Sequence, residues 1–496
     1  MAMHTSWLDR TIAAVAPAWA VQRGMARMQL DVLRKYEAAE QGRRQSGWKA
    51  GSGSANAEVL PSLATTRNRA RQMVRDNEYA KSAVRTLANS IVGSTGINVI
   101  PENKTERRFW AEWTEVCDAD GQLDFGGMQR LAARSWKEGG EALVRRRWRR
   151  PEDGLVVPMQ IQLLEPDHLD HGKTGIDGNF VDIMGVRYDR LGARVGYWLF
   201  AEHPGELALA ARALQSKLVP ASEIIHLYSK DRISQVRGIS ELAVSLMRMR
   251  DLDGYEEAEL VRKKIEACFT AFVTTDSPRM HVGDLKKEEG AGSSPARVTE
   301  KVSPGLIKYL TQGESVTFGS PQASGGYGEY TATQLHAIAV GAGVTYAQLT
   351  GDTSRSNYTS HRAGLVQFNQ LIESEQWLTF IPMFIRPIRR WWREAAQLNG
   401  IKVGNKPDRI TTPKKPMVDP LKDTLADKEE IRAGLKSLSE ALRERGMDPE
   451  SVFAEIKSER EALAVLQLVF DTDATVTDLK LSPADLLKAA TGASND

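Results

Sequence analysis

Residues 349–364 read "LTGDTSRSNYTSHRAG", a polar, hydroxyl-rich stretch set between two helix-like runs, "TATQLHAIAVGAGVTYAQ" before it and "LVQFNQLIESEQWLTFI" after it. It holds no His/Cys pair for a metal and no glycine pattern for a phosphate. A loop of this kind between long helices decides the reading of the chain, because everything around it is helical. Upstream, "ISELAVSLMRMRDLDGYEEAELVRKKIEACF" (239–269) carries Leu242, Leu246, Met249 and Leu252 along one stripe, with Glu259 facing Arg262 and Lys263. Gly254 interrupts it at a cost of about 1 kcal/mol, so a bend or boundary is expected there. Helix is expected again over 330–348 and from 359, with kinks at Pro382 and Pro387, and "RPIRRWWREAA" continues it to Gly400.

The N-terminal half supplies the rest. A Gly/Ser-rich linker, "GWKAGSGSANAE", covers 47–58; helices fit 61–92 and 104–117. From 141 to 200 the pattern changes to short strands, "ALVRRRW", "PMQIQLLE", "VDIMGVRYD" and "GYWLF", and "EIIHLY" (223–228) adds one more. Residues 274–328 form a loop-rich module around a β-like "LIKYLTQGESVTF". Beyond Pro413 and Pro416 three further helices are expected, one starting with Asp448 as N-cap and Pro449 at N1, one with Ser482 and Pro483. The fold class is α+β, mainly helical.

Composition narrows the function. The 496 residues suit about three domains. Basic and acidic residues nearly cancel, 66 against 64, so the chain lacks the overall excess of a tight nucleic-acid wrapper, although local patches are allowed. Two cysteines, Cys117 and Cys268, have no motif spacing, which argues against a disulfide framework and for a reducing compartment. "TIAAVAPAWAV" (11–21) lacks a basic front end and is read as a short amphipathic helix rather than a secretion signal. No stretch reaches the roughly 18 apolar residues of a membrane span. A soluble, intracellular chain is expected.

The search for chemistry finds little. "HGKT" (171–174) fails as a phosphate loop because the required glycine is Asp167. "GxSxG" and "HExxH" are absent. "EPDHLDH" gathers Glu165, Asp167, His168, Asp170 and His171, but its turn formers favour a solvated turn over a metal site. Asp251 and Asp253 of "DLD" diverge by about 200° on a helix and cannot easily share one ion. "RRRWRR" (145–150) could touch phosphate, or alternate between the faces of a strand in a solvated or subunit-facing role. In "RRWWR" (389–393), Trp391 and Trp392 are read as packing residues with the arginines on the wet side. A nuclease relying on Asp167 and His168 stands as one alternative.

The order of "QLLEPDHLD", "EHPGE", "VPASEIIHLYSKDRISQVRGIS", "RDLDGYEEAELVRKKIEACF", "SPGLIKYLTQGESVTF", "GDTSRSNYTSHRAG", "VDPLKD" and "GMDPESVFAEIKSE" resembles the lambda-type portal proteins of tailed bacteriophages. The resemblance runs from about 60 to 460; "KKPM" stands where members often carry tryptophan, just before "VDPLKD". It implies a non-enzymatic ring, a dodecamer, at one capsid vertex, without cofactor, metal or membrane; a different virion adaptor or tail-tube component of similar helical build is the other alternative. The implied partners are further copies of the chain, the large terminase subunit, major capsid and scaffolding proteins, head-completion and tail connector proteins, and double-stranded DNA in transit. The implied locations are the virion and, during assembly, the host cytoplasm. The implied division is an N-terminal arm (1–58), a wing (59–238), stem helices (239–272 and 329–349), a clip (273–328), a channel loop (350–358), a wing helix and return (359–410) and a crown (411–496). The channel loop comprises Thr350, Gly351, Asp352, Thr353, Ser354, Arg355, Ser356, Asn357 and Tyr358. A wall of hydroxyls with Arg355 offset by Asp352 would touch a moving polyanion without gripping it, since every neutralised phosphate adds affinity. Asn357 or Thr359 is also expected to cap the helix that follows.

Overall fold

In a computed structural model of the chain, the described residues are 19, 51–206, 215–267, 271–275, 314–318, 326–354, 356–415, 419–466 and 468. Contacts divide the chain into 1–54 and 55–496, and the account below concerns the second unit. Most of the expected arm and clip, the crown beyond 468, Arg355, Cys268 and the helix expected after Ser482 lie outside the described residues.

The expected helix over 61–92 is two helices, α1 (Leu63–Asp76) and α2 (Glu78–Val92). Asn77 makes the break. Its Oδ1 accepts from Ala80 N at 2.8 Å, capping α2, and its Nδ2 donates to Asp253 at 2.6 Å. Strand β1 (Asn98–Ile100) follows, then α3 (Lys104–Glu115), two residues shorter than expected, and α4 (Phe125–Gly139), a helix the sequence pattern did not reveal. Gly140 ends α4 at φ 89°, and a Cβ there would meet Ile239 C at 2.5 Å, so this close turn requires glycine.

The β region forms two antiparallel sheets. In chain order come β2 (Glu141–Trp148), β3 (Met159–Leu164), β4 (Gly175–Asp177), β5 (Phe180–Ile183), β6 (Val186–Tyr188), β7 (Arg194–Phe200), β8 (Ser216–Pro220) and β9 (Ile224–Tyr228). One sheet has the order β3-β2-β9, the other β4-β5-β6-β7-β8. The alternation of β2 explains the layering. Ala142 and Val144 join the helical core, whereas Leu143 packs with Leu169, Val186, Tyr197 and Leu199 of the second cluster. The three-stranded sheet therefore lies between the helices and the five-stranded sheet.

A 3₁₀ turn, Glu241–Val244, leads into α5 (Leu246–Ala267), so the long helix starts later than expected and runs through Gly254 unbroken. Leu242, Leu246, Met249 and Leu252 are buried as the stripe requires, while Leu260 and Val261 further along are exposed. Strands β10 (Ala271–Thr275) and β11 (Glu314–Phe318) pair antiparallel beyond it. Then come α6 (Tyr327–Gly341), α7 (Tyr346–Thr350) and α8 (Tyr358–Glu375); the single helix expected over 330–348 is thus interrupted at 342–345.

Pro382 does not break the next run. Gln376–Ile385 adopts a π-helical register and passes directly into α9 (Arg386–Leu398). A π register relocates the hydrogen bond that proline cannot make. Phe380, Ile381, Phe384 and Ile385 are fully buried, so packing holds the distorted turn in place. Around them an aromatic cluster joins α3, α4 and α9. Trp110 lies 5.0 Å from Trp113 and 5.5 Å from both Phe125 and Trp392. Strand β12 (Arg409–Thr411) returns to pair with β1, followed by α10 (Pro420–Arg432), α11 (Leu438–Glu444) and α12 (Pro449–Val465). Pro449 opens α12 as expected, but Asp448 makes no side-chain capping bond and instead faces Arg107 at 3.7 Å. The fold is α+β and mainly helical. No helix among the described residues is long and apolar enough to cross a membrane.

Candidate functional site

The 350–358 segment hangs between two independently capped helices. At the near end, Thr345 and Gln348 form a reciprocal capping box for α7, and Gly351 closes that helix in the left-handed region at φ 76°. At the far end, Asn357 and Ser360 form a second box: Ser360 N donates to Asn357 Oδ1 at 2.8 Å, and Asn357 N donates to Ser360 Oγ at 3.1 Å. Asn357, rather than Thr359, is the cap.

Between the caps the polar groups satisfy one another. Thr350 Oγ1 donates to Tyr346 O at 2.9 Å and accepts from Asp352 N at 3.1 Å. Ser354 N donates to Asp352 Oδ1 at 2.8 Å, and Ser356 Oγ donates to Thr353 O at 3.0 Å. Such local bonds are why Ser, Asn and Asp favour turns over helix interiors. Thr353, Ser354, Asn357 and Tyr358 are exposed, and Asp352 and Ser356 are half-buried. Among its described residues, Thr350 and Ser356 commit their hydroxyls to local backbone carbonyls and Tyr358 accepts from Arg362 at 3.4 Å, while the exposed Thr353 and Ser354 hydroxyls face solvent. Behind Tyr358, Arg362 pairs with Asp423 at 2.9 Å, tying α8 to α10.

A second group of residues fixes the region that leads into α5. Glu141, at the head of β2 and fully buried, accepts from Arg237 Nε at 2.8 Å and Nη2 at 2.7 Å, and from Gly238 N at 2.7 Å. His226 Nε2 lies 3.1 Å away on β9, and Arg67 of α1 at 3.8 Å. Burial alone would raise the carboxyl's pKa, but Arg237 and His226 outweigh it and hold the group well below the usual carboxylate range. His226 itself is pushed down to about 4 by burial, against the pull of Glu141. Sequence reasoning passed over Glu141; the only signal was an acidic residue opening an apolar strand.

The metal candidates separate. Asp167 meets Arg71 at 2.7 Å and Arg67 at 3.6 Å, which depress its pKa against the upward push of burial. His168 turns its Nδ1 to Phe200 O at 3.3 Å. Among the described residues, the one His/Cys/Asp/Glu group of three with close ligand atoms is Glu165, Asp167 and His203, and Arg71 already stands 2.7 Å from both carboxylates. A cation there would have to displace a guanidinium. The "EPDHLDH" run is therefore neither a metal cage nor a freely solvated turn but one side of an ion-pair cluster. Of "DLD", Asp253 binds Asn77 while Asp251 is exposed.

The arginine-rich runs need correction. Arg146 is buried and bridges Glu223 at 2.6 Å and Glu394 at 2.5 Å, so it is neither solvated nor free for a neighbour. Trp391 and Trp392 pack inside as expected, yet Arg389 is also buried, between Glu106 and Asp408. Cys117 is buried, and burial pushes its thiol pKa up, which leaves it inert.

Comparison places the chain among phage portal proteins. A family model described as phage portal protein, lambda family, matches residues 41–376, and the chain belongs to that family. It is a virion protein of the phage head-tail connector. The chain is 25% identical over 464 residues to the "probable portal protein" of Halomonas phage phiHAP-1, covering 88% of each chain. It is 22% identical over 353 residues to portal protein B of Escherichia phage lambda, covering 64% of this chain and 66% of that one. A chain from the neck of an empty gene transfer agent particle aligns with a TM-score of 0.46 at 15% identity, over 82% of this chain and 98% of that one.

Proposed function

We propose that copies of this chain close into a ring at one capsid vertex, a dodecamer, and that residues 350–358 line its bore. In this reading the large terminase subunit docks on the 273–328 module and drives double-stranded DNA inward. Head-completion and tail proteins later occupy the same end, and capsid and scaffolding proteins meet the wing. The observation that carries the reading is the 350–358 segment itself, capped at both ends, with Thr350 and Ser356 bonded to local backbone and small hydroxyls, rather than cations, among its exposed described side chains. A bore lined this way presents little charge, so passing phosphates release few counterions and are not held. Exposed apolar side chains support self-assembly: Leu260 and Val261 on α5, Tyr327 and Tyr330 on α6, and Val366 and Leu378 around α8 need cover that another copy can supply.

Deleting the centre of the 273–328 module tests the assignment. Terminase binding should be lost while rings persist; a deletion that still binds terminase refutes it.

A further inference from the structure

Strand β2 carries a second arginine set that the ring reading leaves unused. Arg145 and Arg147 of β2 share one face, the face on which Leu143 meets the five-stranded sheet, and Arg149, the residue after the strand, continues the pairing through Arg149 N to Pro158 O at 2.9 Å and so extends the row. That sheet covers the start of β2 but leaves these three half-exposed. At strand pitch their Cα atoms form a row roughly 13 Å long, with steps of about 6.6–6.8 Å.

The acceptors that hold the row are neutral. Arg147 Nε donates to Gln162 Oε1 at 2.8 Å, and Arg149 Nε donates to Gln160 Oε1 at 2.6 Å. Arg149 Nη2 also donates to Ala119 O at 3.2 Å, and Gln160 is itself anchored through its amide nitrogen to Val116 O and Asp118 O. Across the strand, Arg145 and Arg147 face Gln162 and Gln160. The contrast with Arg146 is informative: on the opposite face of the same strand, it is matched by two carboxylates. The row is oriented without being neutralised. Its cost shows at Arg147, whose pKa is lowered first by burial and then by Arg145 and Arg149, with no acid to offset them.

We infer that this arginine face binds the phosphate backbone of nucleic acid, at a place distinct from the 350–358 segment. A repeating row of cations matches a repeating anion, and guanidinium forks suit phosphate oxygens. The composition separates this partner from a protein. Protein interfaces deplete charge at their centre and place aromatic or aliphatic anchors there, whereas nucleic-acid interfaces are polar and strongly positive. Arginine and glutamine make up this row, and Trp148, the nearest large apolar side chain along the strand, alternates to the other face and sits against Arg146.

The test is the salt dependence of binding to a duplex of about 12 base pairs of unrelated sequence, with the full-length protein. Each phosphate contact contributes about 0.9 to the slope of log affinity against log salt, so three contribute roughly 2.7, a roughly 40-fold loss of affinity between 50 and 200 mM salt. Arg145→Gln/Arg147→Gln/Arg149→Gln should lower the slope by that amount. The matching triple lysine variant should keep it, because charge and not side-chain shape sets this term. If the triple glutamine variant does not fold, Arg147→Gln alone should lower the slope by about 0.9. An unchanged slope in a folded variant overturns the inference. So does loss of self-association with DNA binding unchanged, which would give the row to a neighbouring subunit's carboxylates.

Discussion

Replacing Glu141 with glutamine perturbs the buried ion cluster at the head of β2 and leaves the side-chain volume nearly unchanged. The carboxylate takes three close bonds from Arg237 and Gly238 and faces His226 and Arg67. Arg237 is fully buried, and its remaining acceptors are the carbonyls of Met184 at 3.1 Å and Pro166 at 3.3 Å. Glutamine removes the one full negative charge that balances it. Breaking a buried pair by removing one partner costs about 3–5 kcal/mol, because the other charge stays buried and uncompensated. The consequence reaches α5, since Arg237 and Gly238 lie just before the 3₁₀ turn that starts it. Equilibrium denaturation followed by tryptophan fluorescence measures the loss. Glu138→Gln, which breaks the surface pair with Arg134, is the control and should cost less than about 1 kcal/mol. A Glu141→Gln cost as small as the control's would show that Arg237 is not held by this carboxylate.

Acid should weaken the fold in two steps. His226 takes a proton near 6.5 when unfolded and at about 4 when folded, so the unfolded state binds more protons between those values. Stability therefore falls as pH drops from about 6.5 toward 4, by up to roughly 3 kcal/mol, and His226→Gln should flatten that part of the profile. Glu141, depressed in the folded state, adds a further loss below its unfolded pKa of 4.5. Asn357→Ala should remove one capping box at about 1 kcal/mol and speed amide exchange in the first turn of α8, with assembly retained; unchanged exchange would deny the cap its role. Thr353→Ala/Ser354→Ala should change stability by less than about 0.5 kcal/mol while altering packaging or retention of DNA, and rings that package normally would remove these side chains from the bore.

What could be read from the chain were features with short-range causes. The stripe from Leu242 to Leu252 and the cap at Asn357 were legible, since periodicity and capping act over a few residues. Pro382 was visible as a disturbance, but not its resolution. Whether a proline breaks a helix or shifts it into a π register depends on the burial of Phe380 and Phe384, which comes from other elements. Long-range partners were hidden. Arg146 finds Glu394 across 248 residues, and β1 pairs with β12, each only three residues long, across most of the chain. The same limit applies to the loop: its hydroxyls suggested free contacts, whereas those of Thr350 and Ser356 bond to the carbonyls of Tyr346 and Thr353.

Electron microscopy of the purified protein addresses self-assembly most directly. Closed rings with an open centre are expected, and averaged maps should place residues 350–358 at the narrowest part of the bore. A protein that stays a single subunit at every concentration, or rings that carry this segment on their outer surface, would contradict the proposed channel.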